Sequence, residues 1–537
     1  MRRFLAVGAG LGIAATFAAS GIVSANGTRW WQHVQALAND SMAGRNTGTA
    51  EYQRAADYVA EQFQKAGLEP VGVNGYFQPV RFKTRTIVEA QSSLTLVRDG
   101  HVDPLALGED ANFSMRIDPA PSLEARLVFA GYGLHIPELG VNDLAGLRLD
   151  GAVVVYLAAA PPSISAPLQA HFGSASERWK MYKAAGAVGT ISIANPGTVE
   201  IPWVRSTLAR LLPQMSLADS ALDDATGQQF AATMNPAHAD KLFAGSGHTL
   251  QEVLALADAG NALPRFELPT RVKATVKVER SELDSPNVAG VLRGHDPARR
   301  GEYVVVSAHL DHVGVGEPVN GDRIYNGAMD NASGVAAILE IATQLQGAAA
   351  RPARSILFVA VTGEEKGELG SKYFVAHPPV PGPAIVADVN IDMFLPLFPL
   401  KTLMVLGVDE SDLGQDIRAV AADRGIGVQS DPEPERNRFV RSDQYSFIKS
   451  GIPALAMKVG YQSNTTEAAT AARWTKERYH APSDDLDQPI DLTAAEGYVE
   501  VVRSLVLRIA NRPSRPTWNQ SSFFKRFATS NVDPVPR

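Results

Sequence analysis

Between residues 302 and 512 the hydrophobic pattern switches repeatedly between short continuous apolar runs and longer stretches with helical spacing. Tyr303-Val304-Val305-Val306-Ser307-Ala308 is rich in β-branched residues and of strand length, and it runs into His309-Leu310-Asp311. A loop follows, and then Val335, Ile338, Leu339, Ala342 and Leu345 mark one face of a helix, with Asp330 and Asn331 where its cap belongs. Three later apolar runs repeat the theme. Ile356 to Thr362 leads to Gly363-Glu364-Glu365, Ala384 to Val389 leads to Asn390-Ile391-Asp392, and Ala454 to Val459 is followed after a loop by Tyr479-His480. The alternation predicts an α/β fold, a mixed and mostly parallel sheet flanked by helices. In such sheets ligands bind beyond the carboxyl ends of the strands, where these His, Asp and Glu residues fall.

The rest of the chain has a different texture. Residues 26–121 begin with two helical patterns on either side of Asp40 to Thr49, the second ending at Gly67, and continue with strands; they read as the first part of the main domain. Residues 122–266 carry strand-like runs such as Arg126 to Ala130, Ala152 to Leu157 and Val188 to Ile193, with a helix from Ser176 to Ala185. This stretch reads as a smaller inserted α/β or β-rich module. Its histidines, His135, His171, His238 and His248, lack carboxylates at ligand spacing, so no catalysis is expected of it. Residues 267–512 return to βα alternation. Val272 to Val278 reads as a strand, and Thr493-Ala494-Ala495-Glu496 as the capping box of a last helix. The Pro- and Ser-rich tail, 513–537, is expected to be loosely docked.

Composition narrows the chemistry. A chain of 537 residues with net charge -7 and no Lys/Arg-rich block has no field suited to nucleic acid. Arg2-Arg3, the apolar run from Phe4 to Val23 and the small residues Val23-Ser24-Ala25 form the pattern of a secretory signal peptide over residues 1–25, with a membrane anchor as the rival reading. Export outside the cytoplasm, to the periplasm or medium and without a stable anchor, is the expectation. Cysteine is absent, so a metal would have to be held by imidazole and carboxylate, a donor set that suits Zn and also accommodates Mn or Co.

A two-metal hydrolytic site needs a shared carboxylate, further ligands for each ion, and an unligated base beside the attacking water. The strand-end residues fill those roles. Of Glu364-Glu365, one side chain can face metal and the other water. Asp311, two residues from His309, is expected to orient the imidazole rather than bind beside it, and His312 reads as loop.

His309-Leu310-Asp311-His312, Gly327 to Gly334, Thr362-Gly363-Glu364-Glu365, Asn390-Ile391-Asp392 and Tyr479 to Asp485 together resemble the M28 family of co-catalytic zinc aminopeptidases, and Met42-Ala43-Gly44-Arg45 resembles the family's N-terminal part. The resemblance implies the zinc exopeptidase fold and two zinc ions per chain. One would be held by His309 and Asp392, the other by Glu365 and His480, with Asp330 bridging. Glu364 would be the general base, Asp311 the partner of His309, and a cis peptide would follow Asp330. Phe129 to Gly133 and Asn142 to Gly146 resemble a protease-associated (PA) domain. The family's frequent Ser-Asp-His is here Ser442-Asp443-Gln444, which changes the pocket but none of the implied ligands.

The implied substrates are peptides with a free N-terminus. Three readings compete: a carboxypeptidase using Arg436, Arg438 or Arg441 as a carboxylate fork, a single-zinc glutaminyl cyclase, and a non-catalytic receptor-like relative. The preferred side chain and the oligomeric state are not legible.

Overall fold

The computed structural model describes residues 26–346 and 351–531. The expected signal peptide and the last residues of the tail lie outside them. Among the described residues no helix is long and apolar enough to cross a membrane.

The apolar runs become the centre of a ten-stranded mixed sheet. Ser355–Val361, Tyr303–His309, Ile385–Asn390 and Ala454–Val459 lie side by side in that order, all parallel. Antiparallel strands close both sides, Val278–Leu292 and Phe77–Ile87 on one and Thr402–Leu406 on the other. The central strands are buried on both faces, which is why they read as continuous rather than alternating apolar runs. Helices Gly27–Ala38, Ala50–Lys65, Ser333–Gln346 and Leu492–Asn511 cover one face.

Local signals behave as their chemistry dictates. Asn26 and Thr49 accept the amides of Arg29 and Tyr52, capping the first two helices. Asn331 accepts the amide of Gly334, as expected for a cap. The last helix is capped two residues earlier than the Thr493 box implied: Asp491 accepts the amide of Ala494, and Glu496 instead reaches the amide of Gly27.

The second sheet has eight strands and draws on more of the chain than residues 122–266. Ser93–Arg98, outside that span, and Phe266–Thr275, which begins at its last residue, pair with each other in this sheet, whereas Gln214–Leu217, within the span, pairs with Phe77–Ile87 of the main sheet. The apolar run Val272 to Val278 is likewise divided: one strand ends at Thr275 in the second sheet and the next starts at Val278 in the main one. Alternation from Leu268 to Val278 runs across the break and hides that change of sheet. The tail is better docked than its composition suggests, with Trp518 and Phe524 buried against the strand and helix residues of the face opposite the first helices.

Candidate metal centre

Parallel pairing gathers the centre. With three adjacent strands running the same way, His309 ends the first, Glu364 and Glu365 follow Val361 across Thr362-Gly363, and Asp392 follows Asn390 across Ile391, all on one edge. Asp330 arrives from the loop ahead of Ser333–Gln346, and His480 from the segment after Thr466–Glu477.

Asp330 stands between two imidazole–carboxylate pairs. Its Oδ1 is 3.3 Å from Nε2 of His309, which is 3.4 Å from Oδ1 of Asp392. Its Oδ2 is 3.2 Å from Nε2 of His480, which is 3.1 Å from Oε2 of Glu365. Oδ2 of Asp330 is buried without a hydrogen-bond donor, an arrangement that is costly unless a cation completes it. All donors are nitrogen or carboxylate oxygen in two clusters sharing one acid, so the residues present fit two zinc ions.

His312, read from the sequence as loop, is fully buried and belongs to this cluster. Its Nδ1 is 2.7 Å from Oε1 of Glu365 but 3.8 Å from Asp330. His480 faces the other oxygen of Glu365 and lies close to both carboxylates, so two imidazoles flank Glu365, one on each oxygen. Sequence spacing could exclude His312 from the metal of His309 but not from its neighbour.

The backbone around the ligands is held by buried polar groups. Nδ1 of His309 donates to the carbonyl of Asp311, leaving Nε2 free toward Asp330 and Asp392. Asp311 therefore orients the ring through its carbonyl, not its carboxylate as expected. The carboxylate accepts the amides of Glu364 and Glu365 at 3.1 and 3.3 Å and the hydroxyl of Thr47 at 2.9 Å, fixing the turn that presents the two glutamates. Asp484 accepts the amides of Met329 and Asp330, both at 2.9 Å. The peptide between Asp330 and Asn331 is cis. Arg45, fully buried, donates to the carbonyls of Leu37, Leu310 and Gly327. Gly327 has φ 62°, and a Cβ there would sit 2.5 Å from the His312 ring and 2.2 Å from the Asp330 carbonyl.

The adjacent glutamates are driven apart electrostatically. Burial pushes the Glu364 carboxyl well above its usual range; His309 opposes this, and the negative charges of Glu365, Asp443 and Asp392 reinforce it. Burial also acts on Glu365, but His480 and His312 outweigh it and hold that carboxylate well below its usual range. Two carboxyls with opposed environments suit opposed roles, one handling a proton and one staying ionised at a metal.

Glu364, His309, Asp330, Asp392 and His480 open into one pocket, whose walls include Met393, Leu395, Phe398 and Trp474. Glu200, from the second sheet's unit, also lines it and was not foreseen. It pairs with Arg436 at 3.0 Å and Arg441 at 2.9 Å, while Arg438 pairs with Asp431 and Glu433 at 2.7 and 2.6 Å. Gln444, where the family often has His, is buried; it accepts from Asn390 and donates to the carbonyl of Phe439. Among the described residues no other cluster of three or more His, Asp and Glu has metal-binding spacing, so the module's four histidines stand apart from any such site.

The model of peptidase family M28 matches residues 287–506. A leupeptin-inactivating enzyme of Streptomyces exfoliatus is 31% identical over 34% of this chain and 37% of its own length. A probable leucine aminopeptidase of Aspergillus oryzae is 27% identical over 44% of this chain and 45% of its own. The chain thus spans less than half the length of these two curated relatives. The solved structure of an aminopeptidase from Aneurinibacillus sp. strain AM-1 shares the fold, with TM-score 0.55 at 19% identity over 91% of this chain and 95% of that one. The strand-end motifs all fall within residues 287–506, the stretch that the model of peptidase family M28 matches.

Proposed function

We propose that this protein is an exported di-zinc aminopeptidase. The observation that carries the reading is the division of Asp330, whose two carboxylate oxygens each face a separate imidazole–carboxylate pair. His309 and Asp392 would hold one zinc, Glu365 and His480 the other, with Asp330 shared. Bound there, zinc would supply Lewis acidity and lower the pKa of water to near neutrality.

The chain's own residues supply the rest. Glu364 faces the pocket and is kept from the metals' service by the turn that Asp311 fixes. It takes a proton from the attacking water and returns it to the departing amine, a shuttle suited to a carboxyl whose proton affinity burial raises. Asp330, Asp392, Glu364 and Glu365 offer carboxylate oxygens to a substrate ammonium. Arg436, Arg438 and Arg441, the alternative fork for a C-terminal carboxylate, are committed to Glu200, Asp431 and Glu433. The signal-like N-terminus supports export, and the apolar pocket wall supports peptides with an apolar first residue.

The test compares an aminoacyl chromogenic substrate with an N-acetylated dipeptide bearing a free carboxylate. The first is expected to be cleaved, to stop being cleaved after chelation, and to be restored by zinc at two ions per chain. Cleavage of the second alone, lost in Arg441→Ala, makes the enzyme a carboxypeptidase.

A further inference from the structure

Resting on the two-metal reading above, the structure assigns to Arg205, in the unit built on the second sheet, the role of a positioning residue for the half of the centre that contains His480. Arg205 crosses from that unit to the main domain. Its Nη1 donates to the carbonyl of Lys476 at 2.7 Å and its Nη2 to the carbonyl of Tyr479 at 2.9 Å. The Tyr479 carbonyl belongs to the peptide that leads into His480, so the guanidinium fixes the plane from which the His480 side chain departs. That fixation matters because His480 has φ 50°, a conformation that residues with a Cβ keep only when their surroundings hold them there.

The anchor behind Arg205 is firm. Trp203 and Thr207, on either side of it, both donate to the carbonyl of Gly108, at 2.9 and 3.0 Å. Arg116, also from this unit, donates to the carbonyl of Glu365, the other ligand assigned to the same ion, at 3.3 Å. Among the described residues, the hydrogen bonds of His309 and Asp392 stay within the main domain. The second unit therefore touches one half of the centre, through arginine on backbone carbonyl, and leaves the other half alone. A sheet with no ligands of its own still governs the occupancy of one ion.

Zinc titration of the full-length apoprotein against a chromophoric chelator tests this. Wild type is expected to take two ions, and Arg205→Ala to bind one of them about 10–100-fold more weakly with the other unchanged, the range typical when a group supporting a ligand is removed. Arg205→Lys, which keeps one donor, should fall between. Arg210→Ala breaks the pair with Glu89 near the same anchor without touching Tyr479, and should bind both ions as wild type does. Unchanged affinities in Arg205→Ala, equal weakening of both ions, or the same loss in Arg210→Ala would overturn the proposal. If Arg205→Ala does not fold, Arg205→Gln takes its place with the same deciding outcomes. A wild type that binds fewer than two ions overturns the two-metal reading itself, before any variant is compared.

Discussion

The two large sheets among the described residues each contain four adjacent parallel strands, and only one of them carries a candidate active site. In the second sheet, Ser122–Phe129, Val153–Ala158, Gly189–Ala194 and Phe230–Met234 pair in parallel in that order. They run into Ala130-Gly131, Ala159-Ala160, Asn195-Pro196 and Asn235-Pro236. The main sheet places His309, Glu364, Glu365 and Asp392 at the equivalent edge. Topology creates a convergent edge in both cases. Chemistry depends on which side chains stand there, so function follows from the site and not from the architecture. The second unit acts on the first by other means, supplying Glu200 to the pocket and arginines to the ligand backbone.

The largest expected effect sharpens that contrast. Glu364→Gln should lower kcat about 10²–10⁴-fold with metal content unchanged by atomic emission, because a base is lost and no ligand is. Asn195→Ala, at the matching edge of the second sheet, should leave kcat near the wild-type value. Comparable losses in both variants would break the distinction between the two edges.

Next come the ligands. Glu365→Gln should weaken zinc binding more than His312→Ala, which removes only the group on Oε1 of Glu365 and should cost about 10–100-fold in affinity. Competitive zinc titration measures both. The reverse order would make His312, not His480, the imidazole of the second ion.

The smallest effect concerns acid. Each region has a buried uncharged histidine: His33 in the first helix of the main domain, and His171, which joins the second unit to Tyr445 at 2.7 Å. Burial lowers both to about 4 from 6.5. The unfolded chain binds the proton first as pH falls, so the stability each contributes is complete above pH 6.5 and lost as pH falls toward 4, about 1 kcal/mol each between pH 7 and 5.5. Urea unfolding at those two pH values should show the gap, and His171→Gln should narrow it by about 1 kcal/mol. An unchanged gap in that variant would remove His171 from the acid response.

The four central strands, the helix after Asp330 and the seven residues expected at the site were readable because each depends on local pattern: continuous β-branched runs, helical spacing, and polar residues where a run stops. Sequence spacing also separated Glu364 from Glu365 as candidates for different roles. What it misjudged were contacts across distance. Asp311 looked like a partner for the His309 ring because it is two residues away, but its carboxylate is turned to the amides of Glu364 and Glu365. His312 looked like loop because it lies too close in sequence to His309 to share its metal, yet it faces Glu365 instead. Val272 to Val278 read as one strand, but one strand ends at Thr275 in the second sheet and the next starts at Val278 in the main one.

By itself, then, the sequence determined the elements, the parallel centre and the residue types of the site, because hydrophobic period and strand-end composition are properties of short segments. Only the tertiary structure decided that Asp330 divides its oxygens between two imidazoles, that Arg45 and Asp484 brace the ligand loops, and that Glu200 and Arg205 reach the site from another sheet. Those facts rest on hydrogen bonds and charge pairs between residues apart in the chain, whose distances are set by how the elements pack and by no local pattern.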